Sequence, residues 1–145
     1  MTDSTGKLTS LVQMTIDSAE GYQRAADHAG APELKKVLQD QAADRRQLAA
    51  VLNGELVRLG GERQQSGTTS GAAHQIWTRI TTAFKDRDEA AAERVEEGED
   101  YLEKQFREAL DRKDWDPVTL AVLQQAHAQI QEGERLTDRL EERYD

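Results

Sequence analysis

Three histidines and 28 acidic residues are the material from which this 145-residue chain could build a reactive site. It has no cysteine, which excludes disulfides, thiolate zinc sites, Cys-ligated iron–sulfur clusters and cysteine nucleophiles. Acids and histidines can still form a di-metal centre inside a helical bundle. Such a centre takes a Glu from each of two helices and a Glu-x-x-His from each of two others, since i, i+3 spacing puts carboxylate and imidazole on one face. Each histidine fails that test. Three residues before His28 stands Ala25, before His74 stands Gly71, and before His127 stands Gln124. The chain contains neither Glu-x-x-His nor Asp-x-x-His.

Helical phase then sorts the remaining candidates. At about 100° per residue, Asp17, Glu20 and Glu96 fall on outward faces, while Glu99 and His127 fall on the flanks of their helices. Facing flanks would let Glu99 and His127 share a weak iron or manganese site, with Asp17 as a supporting or capping partner. The plainer expectation is a hydrogen bond or simple solvation, with no catalytic residue, no metal and no cofactor. The stretch Glu96-Glu97-Gly98-Glu99-Asp100 carries two readings as well. Its carboxylates could take a hard cation or act as acid and base. A glycine inside a helix costs about 1 kcal/mol relative to alanine, so Gly98 is expected to admit a neighbouring helix or ring, as is Gly21 beside Tyr22. His74 and Trp77 lie one turn apart. They are expected to be structural, Trp77 covering one end of the core and His74 holding the adjoining loop, rather than a ligand-contacting pair.

The elements that must position these residues follow from apolar spacing. Leu8, Leu11/Val12, Thr15, Ala19, Tyr22 and Ala26 predict a helix over 8–29, closed by Gly30 as a left-handed cap. Pro32 opens a second helix over 32–59, which Gly60-Gly61 stops. A polar, glycine-rich loop spans 60–71, and a short helix over 72–84 carries His74, Ile76, Trp77, Ile80 and Phe84. Asp86 with Glu89 resembles a capping box and restarts a helix over 87–112; Asp116-Pro117 starts the last, over 117–143. Trp115 beside that start is expected to plug the end of a helix pair. Gln41, Arg45, Arg87, Gln105 and Thr137 fall on core faces. They should form an internal network with Glu55, Glu99 or Asp44, or line a partner interface.

One domain over 1–145 fits this length. Nineteen basic residues against 28 acidic ones give a net charge of −9, which disfavours nucleic acid and an anionic membrane surface. No apolar run is long enough to span a membrane, and the N-terminus lacks the basic start and apolar stretch of a signal peptide, so a cytoplasmic address is expected. No glycine-rich phosphate loop or nucleophile elbow is present. Arg135, Arg139 and Arg143 are interleaved with Glu134, Glu141 and Glu142, the pattern of a solvated ion-pair face.

The residues Leu8-Thr9-Ser10-Leu11 and Ile16-Asp17-Ser18-Ala19-Glu20-Gly21-Tyr22-Gln23-Arg24-Ala25-Ala26 open a wider similarity. With Leu59-Gly60-Gly61, Gly71, His74-Gln75-Ile76-Trp77 and Glu96-Glu97-Gly98-Glu99-Asp100, the chain resembles a bacterial family of unknown function described as ferritin-like four-helix-bundle proteins. The resemblance spans essentially the whole chain and is poorest in the last helix, where Gly133-Glu134 stands in place of a frequent His-Asp. It implies an all-α, ferritin-like antiparallel four-helix bundle with an additional short helix after the long middle loop. It carries no established activity. The expected function is therefore that of a non-enzymatic bundle acting by self-association or protein partner binding, with a stress-associated role suggested by the company this fold keeps. The alternative is a metal-binding or oxidative-stress protein with a degenerate carboxylate/His site, and a third reading is a carrier for a small apolar molecule.

Overall fold

Leu8, Leu11, Val12, Thr15, Ala19, Tyr22 and Ala26 recur at the three-and-four spacing that gathers one side of a helix, and all of them are buried. In the computed structural model, which describes residues 2–78 and 87–144, they lie along α1, Thr2–His28. The other elements are α2 (Pro32–Arg58), α3 (Gly71–Thr78), α4 (Arg87–Leu110) and α5 (Pro117–Tyr144). Every element among the described residues is a helix. Ile80, Phe84, Asp86 and the Arg87 side chain lie outside the described residues, as does the rest of the expected 72–84 helix beyond Thr78.

Local chemistry sets most boundaries. The first turn of α1 begins at Thr2 rather than Leu8. Its opening residues carry no apolar side chain, and Ser4 holds them by donating to Asp114 at 2.9 Å. Gly30 is not the left-handed cap its position suggests. Its N–H donates instead to Asp88 Oδ1 at 2.7 Å, and that of Ala31 to Asp88 Oδ2 at 3.1 Å, so a carboxylate from α4 takes the N–H groups that a left-handed cap would turn back onto the carbonyls of α1. Gly60 does adopt a left-handed conformation, with φ of 92°. Its N–H reaches Val57 O at 3.0 Å and that of Gly61 reaches Leu56 O at 2.9 Å, the paired bonds that close a helix on a glycine. At the start of α5, Asp116 accepts the Thr119 N–H at 2.8 Å just ahead of Pro117. Trp115 is buried beside it, its indole N–H donating to Ala109 O at 2.8 Å.

The main packing contacts run between α1 and α2, α4 and α5, α1 and α4, and α2 and α5, with α3 against α1 and α4. The α2–α5 seam is the most sparsely packed of these. The buried apolar residues fall into two clusters. One joins Leu8, Leu11, Leu52, Phe106, Trp115 and Ile130 with their neighbours. The other joins Tyr22, Leu34, Leu38, Trp77, Val95 and Leu140 among several alanines. Between them, each long helix contributes small or polar buried residues: Thr15 and Ser18 on α1, Arg45 on α2, Gly98 and Glu99 on α4, Gly133 and Thr137 on α5. A polar layer thus divides the apolar core, and that layer holds the most unusual chemistry of the molecule.

Candidate functional site

Arg45 and Glu99 are both fully buried. The guanidinium is paired two-pronged with the carboxylate, Nη2 donating to Oε2 at 2.7 Å and Nη1 to Oε1. Asp44 lies further off, at 3.9 Å from Arg45 Nε. The guanidinium also sits 5.7 Å from the ring centroid of Tyr22, within the reach of a cation–π attraction. Burial alone would lower the pKa of Arg45, but the charge and hydrogen bond of Glu99, together with Tyr22 and Asp44, outweigh it and the value is raised. Burial raises the Tyr22 phenol well above its usual range and the Glu99 charge raises it further, so the hydroxyl keeps its proton. Arg45 Nε and Tyr22 Oη are the two buried side-chain atoms without a hydrogen-bond partner among the described residues. Thr15, Ser18 and Thr137 return their hydroxyls to their own helices, donating to Leu11 O (2.8 Å), Thr15 O (2.6 Å) and Glu134 O (2.9 Å).

The ion pair needs space, and glycine provides it. A Cβ at Gly133 would overlap Arg45 Nη2 and Glu99 Oε2 and would lie 3.2 Å from Gln41 Nε2. This is why Glu99 points inward, not along the flank that helical phase indicates: α5 leaves a gap opposite it and α2 fills the gap with a cation. Trp77 lies in a second glycine notch. A Cβ at Gly21 or at Gly98 would overlap its indole, and the Tyr22 ring packs at 5.6 Å between centroids with 45° between planes. Trp77, Tyr22, Arg45 and Glu99 therefore form one continuous run of contacts from α3 through α1 and α2 to α4.

Glu99 and His127 are not brought together. His127 Nε2 lies 2.8 Å from Glu103 Oε2, one turn along α4 from Glu99, while Arg45 takes both oxygens of Glu99. Among the described residues, no group of three or more His, Asp or Glu side chains is placed to hold a metal ion. Asp17 also departs from its outward phase: it is buried, because the loop after α2 folds back over that side of α1. Its Oδ1 accepts the Thr68 N–H at 3.0 Å and its Oδ2 the Thr68 hydroxyl. Burial raises its pKa and the Thr68 bonds partly offset this. The carboxylate occupies space that any side chain at position 67 would need, so Gly67 is what lets the loop close on it. His74 Nδ1 lies 2.9 Å from Thr68 O and so holds the same loop from α3.

A second group of acids lies along the α4–α5 boundary. Glu96, which phase also places outward, is half-buried against Glu141. Burial raises its pKa to about 7, with a hydrogen bond and charge from Glu141 and the charges of Asp100 and Asp138 adding to the shift. Glu134 is raised to about 8, first by its hydrogen bond with Asp100, then by burial and by the charges of Asp100, Glu103 and Asp138. Carboxyl groups that face each other this way can share a proton near neutral pH. The acids 96, 100 and 103 on α4 and 134, 138 and 141 on α5 share one spacing, four then three, which is the sequence signal for this seam.

Residues 3–112 match the family model described as Domain of unknown function (DUF2383). The match takes in α1 to α4, and α5 lies beyond it. No curated protein and no solved structure matches the chain. The chain belongs to the DUF2383 family.

Proposed function

From membership of that family no activity follows, and we propose that this is a non-enzymatic, ferritin-like bundle that works by binding a protein partner or a second copy of itself. The observation that carries the reading is Arg45. A di-metal bundle gathers carboxylates around cations in its interior, whereas here a permanently charged guanidinium fills that position and takes both oxygens of the most deeply buried acid. A cation so placed repels a metal ion and engages both oxygens of Glu99. The interior then serves as a strut between helices.

The ferritin-like arrangement is supported by which helix ends meet. Lys35 at the start of α2 donates to Ala26 O near the end of α1 at 2.7 Å, and Gly30 meets Asp88 at the start of α4. Arg143 near the end of α5 reaches Glu33 at 2.7 Å, while at the opposite end Arg58 reaches Asp116 at 3.1 Å and Ser4 reaches Asp114. Neighbouring helices then run in opposite directions, and the connection from α2 to α4 returns the chain along the bundle. No helix among the described residues is long and apolar enough to cross a membrane. The net charge of −9 disfavours nucleic acid, and a cytoplasmic, stress-associated role completes the reading.

A second reading, a metal-binding or oxidative-stress role through a degenerate carboxylate/His site, draws on the contact of His127 with Glu103 beside Asp100 and Glu134. Metal analysis of protein purified without chelator, together with light scattering across concentration, separates the two. The first reading expects only traces of iron or manganese and either a concentration-dependent oligomer or a monomer that binds another protein. One metal ion per chain, lost in His127→Ala or Glu99→Ala, would overturn it in favour of the second.

A further inference from the structure

We propose that the groove between α1 and α2, roofed by the loop that follows α2, is a binding site for a small organic anion. That loop is held more firmly than its composition explains. Residues 60–71 read GGERQQSGTTSG, with no apolar side chain to anchor them, and such a segment ordinarily keeps much of its conformational freedom. Here its backbone is fixed by side chains from three helices. The Asn53 amide donates to Gln64 O at 2.8 Å while its oxygen accepts the Gln64 N–H at 2.8 Å. Gln13 donates to Gln64 Oε1 at 2.9 Å, and Asp17 and His74 hold Thr68 as described. Asn53 and Asp17 are both buried, so polar groups that the helices could have left apolar serve to fix this loop.

What the fixing achieves is the placement of Arg63, Gln64 and Gln65 along a groove of about 370 Å³. That volume lies within the range of small-molecule sites, roughly 300–1,000 Å³. Ile16, Ala19, Ala49 and Ala50 line it and give it an apolar wall of mostly short side chains. Arg46 and Arg63 supply two positive charges, against Glu20 as the one acid among the lining residues. In a chain of net charge −9 this local balance is reversed. Neither guanidinium is neutralised: Arg46 bonds the uncharged Gln23 Oε1 at 3.0 Å, and Arg63 has no hydrogen bond or ion pair among the described residues. Arg45, Arg58, Arg94, Arg107, Arg112 and Arg143 each face a carboxylate, whereas Arg24, Arg135 and Arg139, outside this groove, have no ion pair among the described residues either. What marks Arg46 and Arg63 is that they line one cavity together.

Two uncommitted guanidiniums suit a planar or tetrahedral anion, because each offers paired donors that a carboxylate or phosphate accepts together. The alanine and isoleucine wall suits a short apolar body attached to it. The ligand class is therefore an organic monocarboxylate or monophosphate with a ring or branched chain of modest size. This site is separate from the interior ion pair, so it stands or falls independently of the partner-binding reading.

The test uses the full chain with benzoate, phenyl phosphate and the uncharged isostere benzamide, followed by calorimetry and by backbone amide NMR. At least one anion should bind saturably, with shifts centred on Ala19, Ala49, Asn53 and Gln64, and benzamide should bind at least about tenfold more weakly. The double variant Arg46→Gln/Arg63→Gln, at two exposed positions, should keep its helicity and lose about tenfold or more in affinity. The charge-matched control Arg135→Gln/Arg143→Gln on α5 should bind as the parent does. The proposal is overturned if neither anion saturates below ~10 mM. It is equally overturned if benzamide matches the anions, or if the α5 control loses as much as the groove variant.

Discussion

On α4, Glu99 turns inward to the guanidinium of Arg45, while Glu96, one turn earlier, faces Glu141 across the α5 boundary. The two acids share a helix and differ in depth, and the deeper one has the simpler electrostatics. Arg45 gives Glu99 a charge partner that no accessible pH removes. Glu96 is less buried, yet its pKa rises to about 7: burial raises it, and Glu141, Asp100 and Asp138 around it add to the rise where a cation would offset it. What a carboxylate does here depends on its partner as well as on its depth. One part of the molecule is built around a permanent cation, and the other changes its proton content close to neutral pH.

The largest effect should come from removing the cation. Arg45→Met leaves Glu99 buried without its partner and should cost about 3–5 kcal/mol in urea unfolding. The double change Arg45→Met/Glu99→Leu should recover most of that loss. If Arg45→Met alters neither stability nor oligomeric state, the ion pair is not the strut between helices that the comparison assumes. Next in size is the glycine notch that carries Trp77 against the same layer. Gly98→Ala places a methyl group into the indole and should cost about 1–3 kcal/mol, with a changed near-ultraviolet circular dichroism signal.

The seam should respond to pH and the interior should not. Glu96 and Glu134 have folded-state values of about 7 and about 8, both above their ordinary 4.5. Their contribution to stability is therefore complete below about pH 4.5 and is lost as pH rises through 7 and then 8. Hydrogen exchange corrected for intrinsic rates should show α5 amides near Glu134 and Glu141 opening more readily at pH 9 than at pH 6. Glu134→Gln should flatten that dependence, and protection around Arg45 should stay constant. The smallest effect belongs to the loop. Asp17→Asn keeps one acceptor oxygen for Thr68 and loses the other, so about 0.5–1.5 kcal/mol of local stability should disappear, visible as faster proteolysis within 60–71.

How much of this could be read from the chain depends on how many elements each feature needs. The helices rest on spacing within single segments, so Leu34, Leu38, Leu48, Leu52 and Leu56 mark the buried side of α2 in sequence and structure alike. Arg45 was legible for the same reason: an arginine on an apolar face requires an anion, and Glu99 was among the acids available to supply it. Asp17 was not legible. Its phase points away from the helical core, and only the returning loop converts that side of α1 into an interior. The Gly30 cap failed similarly, because Asp88, distant in sequence, supplies the acceptors. The seam lies between these cases. Its four-then-three spacing is written on both helices, but each half alone looks like a solvated face, and only the register of α4 on α5 sets acid against acid.

The two tryptophans give the divided core an optical consequence. Trp77 belongs to the cluster on one side of the polar layer and Trp115 to the cluster on the other, and the chain contains no third. Trp77 emits from beside a tyrosine ring, whereas Trp115 lies beneath the guanidinium of Arg112, 5.6 Å from its centroid. A Phe at either position leaves a single emitter in a known half. The red shift and quenching of that emitter would time the wetting of its own half, so paired variants could tell whether the two halves melt together or in sequence.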